Sequence, residues 1–341
     1  MTSLTQNSPI IRVHQISRSF SSVKKTEGLK GALGLLLKPE RQTHEALKKV
    51  SFEIESGAFV GLIGANGAGK TTLLKILSGL IPPTSGEAQV LGVNPFERPM
   101  EFRRSISLVM GQKAQLWWDL PAVDAFDLLR AIYSIPMKTY KERLGTLSTL
   151  LDVERLLTTQ IRRLSLGERM KMELIGALLH WPKVIFLDEP TIGLDVLAAH
   201  KLREFLKEFN QREKATIILT SHNMDDIERL CSRVLILRSG EMIYDGKPAG
   251  LIKEDERRLR VRLMQNPTSE ELSETTGIAV SCIERETAEE DVSEGGILFT
   301  AKQNQLVHVL QSLMSRYQVI DMGIQEQSLE NVIQRFFEAG K

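Results

Sequence analysis

A lysine and two threonines close the run Gly64-Ala65-Asn66-Gly67-Ala68-Gly69-Lys70-Thr71-Thr72, which fits the phosphate-loop pattern G-x-x-x-x-G-K-[ST] without a mismatch. The chemistry of such a run is the cradling of phosphates. Its glycines allow a tight turn whose N–H groups face inward around an anion. A helix starting near Lys70 adds the positive end of its dipole. Lys70 is expected to reach the outer phosphates of a nucleotide, and the Thr71 hydroxyl to coordinate Mg²⁺. A second candidate pair, Asp188-Glu189, follows four apolar residues, Val184-Ile185-Phe186-Leu187.

These side chains need elements to position them. Phe59 to Ile63 is a short apolar run suited to a buried parallel strand, and Leu73 to Leu77 has the spacing of a helix packed on a sheet. The phosphate loop therefore lies at a strand-to-helix junction. Further strands are expected at Ile10 to Ile16 (with Phe20 closing the stretch), Ala46 to Ile54, Glu87 to Val90, Ile106 to Met110, Val184 to Leu187 and Ala215 to Leu219. Asp188 and Glu189 fall at the carboxyl end of their strand, the edge where open parallel sheets bind ligands. Ser221-His222 follows the strand at Ala215. Ala125 to Tyr133 and Leu144 to Leu151 have helical spacing. Leu164-Ser165-Leu166-Gly167-Glu168-Arg169-Met170 opens a helix reaching about His180, with Ser165 and Glu168 in the relation of a capping box. A Lys- and Gly-rich insertion occupies residues 21–45, with an apolar patch from Gly31 to Leu37.

Composition narrows the functional classes. The 341 residues allow one large domain with a smaller one appended, and 42% hydrophobic content supports a true core. With 44 basic and 43 acidic side chains the net charge is +1, which gives no electrostatic reason to expect nucleic acid as a partner. Two distant cysteines, Cys231 and Cys282, lack metal-ligand spacing and suit a reducing compartment. No secretory signal and no apolar run near the roughly 20 residues of a membrane span is present, so a membrane role would need another chain.

Taken in order, the phosphate loop, Gln112, the Leu164 to Glu168 segment, Asp188-Glu189, Gly193-Leu194-Asp195 and Ser221-His222 resemble the ATP-binding subunit of ABC transporters. The resemblance spans roughly Ile10 to Leu251. Gln112-Lys113 leading to Leu116-Trp117-Trp118-Asp119-Leu120-Pro121 looks like the exporter-type group whose permease is a separate chain. The implied fold is an α/β P-loop cassette over residues 1–252, a mixed core sheet plus a helical subdomain at about 113–180.

The resemblance implies ATP hydrolysis, a reaction that rests on positioning and charge neutralisation. Thr71, Asp188 and Gln112 are then expected at Mg²⁺, and Glu189 is expected to polarise the attacking water. By resemblance, His222 senses the γ-phosphate and Gln112 couples the site to the permease. Phe20 stacks on the adenine. The Ser165 helix start, with Gly167 and Glu168, meets the ATP held by a second cassette, and Asp195 lies at that dimer interface. Leu166 and Glu168 replace a Gly and the Gln of the usual L-S-G-G-Q; Glu168 places a carboxylate near a triphosphate. One of Trp117 and Trp118 is expected to contact the permease. The expected location is the cytoplasmic face of the plasma (inner) membrane, held peripherally by that permease.

Residues 255–341 read as strand, helix, strand, strand, helix, strand, the ferredoxin-like order, with the second strand at Ala279 to Ile283, an acidic loop from Glu286 to Glu294 and a last helix at Ser328 to Phe337. This α+β domain carries no catalytic constellation and reads as an accessory. A soluble ABC-type ATPase of translation or DNA repair is the competing reading, but the second cassette or long coiled-coil insertion usual there is missing. A GTPase or small-molecule kinase would need a base-reading motif such as N-K-x-D, and none occurs.

Overall fold

A computed structural model describes residues 9–23, 41–110, 114–251, 256–285, 296–325, 329–330 and 332–333. The chain divides into two compact units, Met1–Pro248 and Ala249–Lys341. The apolar patch at Gly31, the acidic loop at Glu286 and most of the expected last helix lie outside the described residues.

The first unit is built on a six-stranded sheet. β3 (Phe59–Gly64), β5 (Ile106–Met110), β6 (Val184–Asp188), β7 (Thr216–Thr220), β8 (Arg233–Arg238) and β9 (Glu241–Gly246) lie in the order β5-β6-β7-β3-β8-β9. All neighbours run parallel except β8 and β9. The parallel strands are continuous apolar runs because helices or a second sheet cover both faces. Val60, Leu62, Val184, Phe186, Ile218 and Leu235 are each at most 1% exposed and share one core. Burying a side chain of this size contributes roughly 1.5–3 kcal/mol, so this layer fixes the strand ends that carry the site.

A three-stranded antiparallel sheet adds β2 (Arg41–Ile54), β1 (Ile11–Val23) and β4 (Ser85–Val90) in the order β2-β1-β4. Here the structure departs from the sequence reading. β1 runs on past Phe20 to Val23, and β2 begins at Arg41, with Phe20 opposite His44 and Val23 opposite Arg41. Both ends of the expected insertion are therefore ladder strands. Ser, Thr and Gln side chains conceal the pairing, because this ribbon has little apolar alternation to read.

Helix α1 (Lys70–Leu77) follows the phosphate loop, and the short α2 (Met100–Ser105) precedes β5. Three helices, α3 (Ala122–Ile132), α4 (Met137–Leu150) and α5 (Leu166–Leu178), lie between β5 and β6. Helix α6 (Val196–Glu213) joins β6 to β7, and α7 (Met224–Leu230) joins β7 to β8.

The second unit has β10 (Glu256–Leu263), α8 (Ser269–Thr276), β11 (Ile283–Arg285), β12 (Ile297–Lys302), α9 (Leu306–Arg316) and β13 (Val319–Gln325). Its sheet order is β11-β12-β10-β13, every neighbour antiparallel, which is the ferredoxin-like arrangement. Leu259, Val261, Phe299, Val309 and Leu313 form its core. The strand expected at Ala279 begins only at Ile283. Val280 to Cys282 forms a 3-10 turn with Val280 43% exposed, and ladder pairing starts at Ile283 opposite Phe299.

Candidate functional site

The phosphate loop leaves β3 at Gly64 and enters α1 at Lys70. Gly69 occupies the N-cap with φ 108°, and a Cβ there would sit 2.5 Å from the Ala46 carbonyl oxygen. A Cβ on Gly64 would meet the Leu237 carbonyl at 2.6 Å. Backbone conformation and close packing thus require glycine at these two points. Lys70 is 6% exposed, and its Nζ donates to the carbonyl oxygens of Gly64 at 2.5 Å and Ala65 at 3.3 Å. Burial pushes its pKa down, while the carboxylates of Glu189 and Asp188 pull the other way.

The carboxyl end of β6 brings the second half of the site to this loop. Asp188 Oδ2 accepts from Thr71 Oγ1 at 2.9 Å, and Asp188 Oδ1 accepts from Thr220 Oγ1 at 2.6 Å. Thr220 ends the neighbouring strand β7 and is fully buried. Its hydroxyl and carbonyl oxygens both receive the Glu189 N–H at 3.1 Å. Glu189 holds φ 56°, a left-handed conformation that costs a non-glycine residue about 1–3 kcal/mol. That backbone turns its carboxylate toward the loop. Glu189 Oε1 lies 3.0 Å from His222 Nε2.

A cavity of about 240 Å³ is lined by residues 65 to 72 together with Phe20, His44, Ala46 and Glu189. Phe20 is 38% exposed, and the Arg18 guanidinium carbon lies 4.6 Å from its ring centroid. The register of β1 and β2 is what brings this aromatic to the mouth of the cradle.

Four further expected residues, Ser165, Gly167, Glu168 and Asp195, form a separate cluster. Ser165 caps α5 in a reciprocal box. Its hydroxyl accepts from the Glu168 N–H at 3.3 Å, and Glu168 Oε2 accepts from the Ser165 N–H at 2.9 Å and hydroxyl at 2.8 Å. Those bonds from the Ser165 N–H and hydroxyl hold the Glu168 pKa below the ordinary glutamate value. Asp195 caps α6 by accepting from the Ala198 N–H at 2.8 Å. Gly167 faces Leu194 and Ala198, so the start of α5 rests on the loop before α6. Ser165, Gly167, Glu168 and Asp195 do not line the phosphate-loop cavity. Gln112 lies outside the described residues. Trp117 and Trp118 are 45% and 48% exposed, with the Arg169 guanidinium over the Trp118 ring at 4.6 Å.

The sequence reading missed Thr220 and His44. Thr220 stands at a strand end beside the Ser-His pair, a position that could have flagged it. His44 gave no signal while its strand was unrecognised.

A phosphate loop leaving β3 and an Asp-Glu pair where β6 ends, with β7 between them leading to His222, define a P-loop nucleotide hydrolase of the ATP-binding cassette class. The ABC transporter family profile matches residues 47–192. The chain is 32% identical to the ABC transporter ATP-binding protein NatA of Bacillus subtilis over 216 residues, 63% of this chain and 87% of NatA. It is 28% identical to the methionine import ATP-binding protein MetN 2 of Enterococcus faecalis over 82% of each chain. To the Nod factor export ATP-binding protein I of Cupriavidus metallidurans it is 33% identical, over 62% of this chain and 69% of that one. Among solved structures, an ATP-binding subunit of an ABC transporter superposes with TM-score 0.60 at 27% identity, covering 71% of this chain and 91% of that one. The chain belongs to the ABC transporter ATP-binding proteins: it binds ATP and hydrolyses it.

Proposed function

We propose that this chain is the engine of an exporter, driving a separate membrane permease by ATP-dependent pairing of two cassettes. One observation carries the pairing. The Ser165 helix start is solvent-facing and lies apart from the phosphate cavity of its own chain, which supports a second cassette bringing an equivalent helix start to this cavity. Four exposed apolar residues beside it, Leu166, Ile192, Val196 and Leu197, provide the surface such a contact would bury.

Within the site, Lys70 and the loop N–H groups hold the triphosphate. Thr71 and Asp188 offer adjoining hard oxygens, which fit Mg²⁺ because that ion keeps waters and phosphate oxygens as most of its ligands. Bound there, Mg²⁺ would neutralise charge on the phosphates. Glu189 takes the proton of the attacking water as the bond from γ-phosphorus to its bridging oxygen breaks, giving ADP and phosphate. His222 holds the Glu189 carboxylate in place.

Among the described residues no helix is long and apolar enough to cross a membrane. On this reading the permease is another chain, and this one sits peripherally at the cytoplasmic face. A groove of about 270 Å³, bounded by Leu80, Arg98, Arg103, Leu116 and Tyr133, supports a docking place for it, with Trp117 and Trp118 nearby. The longer alignment with a methionine import protein supports a second reading, uptake rather than export.

A tagged pull-down from detergent-solubilised membranes tests the proposal. A multi-span chain in near-equal amount supports it, and transport assays of that pair in inside-out vesicles decide direction. Recovery of ribosomal or repair proteins alone would overturn it.

A further inference from the structure

A buried carboxylate outside the nucleotide cavity ties together the two loops that flank it. Asp226, in the first turn of α7, is fully buried. Its Oδ2 accepts from the Thr191 hydroxyl at 2.6 Å and from the Ser221 hydroxyl at 2.6 Å, and its Oδ1 accepts from Arg203 Nη1 at 2.7 Å. Arg203 is 6% exposed and Ser221 is 2% exposed. The Ser221 oxygen also accepts from the Asn223 N–H at 3.0 Å.

The donors come from three places with a bearing on the site. Thr191 is two residues after Glu189 and four before Asp195. Ser221 immediately precedes His222. Arg203 stands on α6, the helix that Asp195 caps. One carboxylate thus fixes the chain on both sides of the contact between His222 and Glu189, and joins it to the Asp195 loop. Fold stability alone does not call for such a hub: a buried ion pair is often no more stabilising than apolar side chains of similar volume. A polar hub whose two hydroxyl bonds run to the loops that carry reacting groups is better suited to holding geometry.

We propose that Asp226 is a positioning residue for ATP hydrolysis: through Thr191 and Ser221 it sets the His222–Glu189 contact and makes it respond to the position of the Asp195 loop. The proposal rests on the roles assigned above to Glu189 and His222. A displacement of the Asp195 loop reaches His222 through two hydrogen bonds to one oxygen. The two hydroxyl tethers act as a unit, because losing either lets the two loops move independently.

Substitution of Asp226 or Arg203 would leave a buried charge unpaired and would unfold many molecules. The hydroxyl variants Thr191→Val and Ser221→Ala avoid that, because the Arg203 pair remains. In the full chain, ATP turnover, fluorescent-nucleotide affinity and Tm are measured for both single variants, the double variant, Glu189→Gln and His222→Ala. Each hydroxyl variant is expected to lower kcat between about 10- and 100-fold, the cost of a small displacement at a reacting centre. Nucleotide affinity is expected to stay within about twofold, and the double variant to be no slower than the slower single one. Turnover retained in both single variants overturns the proposal. So do multiplied losses in the double variant, or losses matched by lost nucleotide binding and a lower Tm. Retained turnover in Glu189→Gln and His222→Ala would instead remove the underlying site assignment, so the two failures are told apart.

Discussion

Glu189 and His222 lie just past the ends of different strands, β6 and β7, yet their side chains meet at 3.0 Å. The left-handed backbone of Glu189 and its N–H bonds to Thr220 produce that meeting. A carboxylate so held is placed to take a proton from water. Glu189→Gln keeps the shape and removes the basicity, so turnover should fall about 100- to 10,000-fold. Nucleotide affinity should stay within about twofold. Phosphate release and nucleotide titration measure the two quantities separately, and unchanged release would remove Glu189 from its role.

Phe20 lines the phosphate cavity from the β1 ribbon and has one ring face toward Arg18. Stacking of a base on an aromatic is worth about 1–3 kcal/mol by alanine substitution. Phe20→Ala should weaken ATP by roughly 5- to 150-fold and leave tripolyphosphate affinity unchanged, because only ATP has a base. Phe20→Trp should retain affinity. Calorimetry with both ligands checks this, and equal losses for ATP and tripolyphosphate would show a packing effect instead.

The legible parts of this protein were those written in local pattern. The glycines and Lys-Thr ending of the phosphate loop, the apolar run before Asp188 and the Ser165–Glu168 box each follow from residues within a few positions of one another. The ferredoxin-like order of the second unit was legible for the same reason, since its strands and helices alternate with clear caps such as Thr268. Contacts between distant segments were not legible. Thr220 reaches Asp188 across 32 positions, and Asp226 reaches Thr191 across 35, only because β6 and β7 are neighbours. Of the β1–β2 ribbon, the half that pairs Ile11 with Ile54 was legible, whereas its extension through residues 21–23 and 41–45 was not, because mostly polar residues fill it and pairing, not periodicity, defines it.

Glu168 lies in the first turn of α5, and its carboxylate closes the cap on Ser165. Protonation does not relieve its charge near neutrality, since those bonds hold its pKa below the ordinary value. A triphosphate brought to this helix start meets that charge. Glu168→Gln keeps an oxygen acceptor for the Ser165 N–H and so should leave Tm nearly unchanged. It should raise ATP-driven dimerisation by about 2- to 5-fold at low salt, with the gain shrinking as ionic strength screens the charge. Light scattering across a salt series measures this, and a gain that ignores salt would argue against repulsion.

His180 follows the C-terminus of α5 and stacks on Tyr133 with ring centroids 4.0 Å apart. Its Nε2 lies 2.9 Å from the Ile106 carbonyl oxygen, which can only accept, so Nε2 carries the proton. Its Nδ1 is buried without a partner, an arrangement that suits the neutral ring. Burial pushes its pKa from 6.5 down to about 4. The unfolded chain therefore binds a proton at a higher pH than the folded one does. Stability is then unaffected by this group above about pH 6.5 and falls as pH drops from there toward 4, by up to roughly 3 kcal/mol. Because His180 joins the helical segment to β5, the loss should appear as separation of the two. Urea unfolding at pH 7.5 and pH 5 should show a drop in the native protein that is smaller in His180→Gln, whose side chain does not titrate. An identical drop in both would place the acid sensitivity elsewhere in the chain.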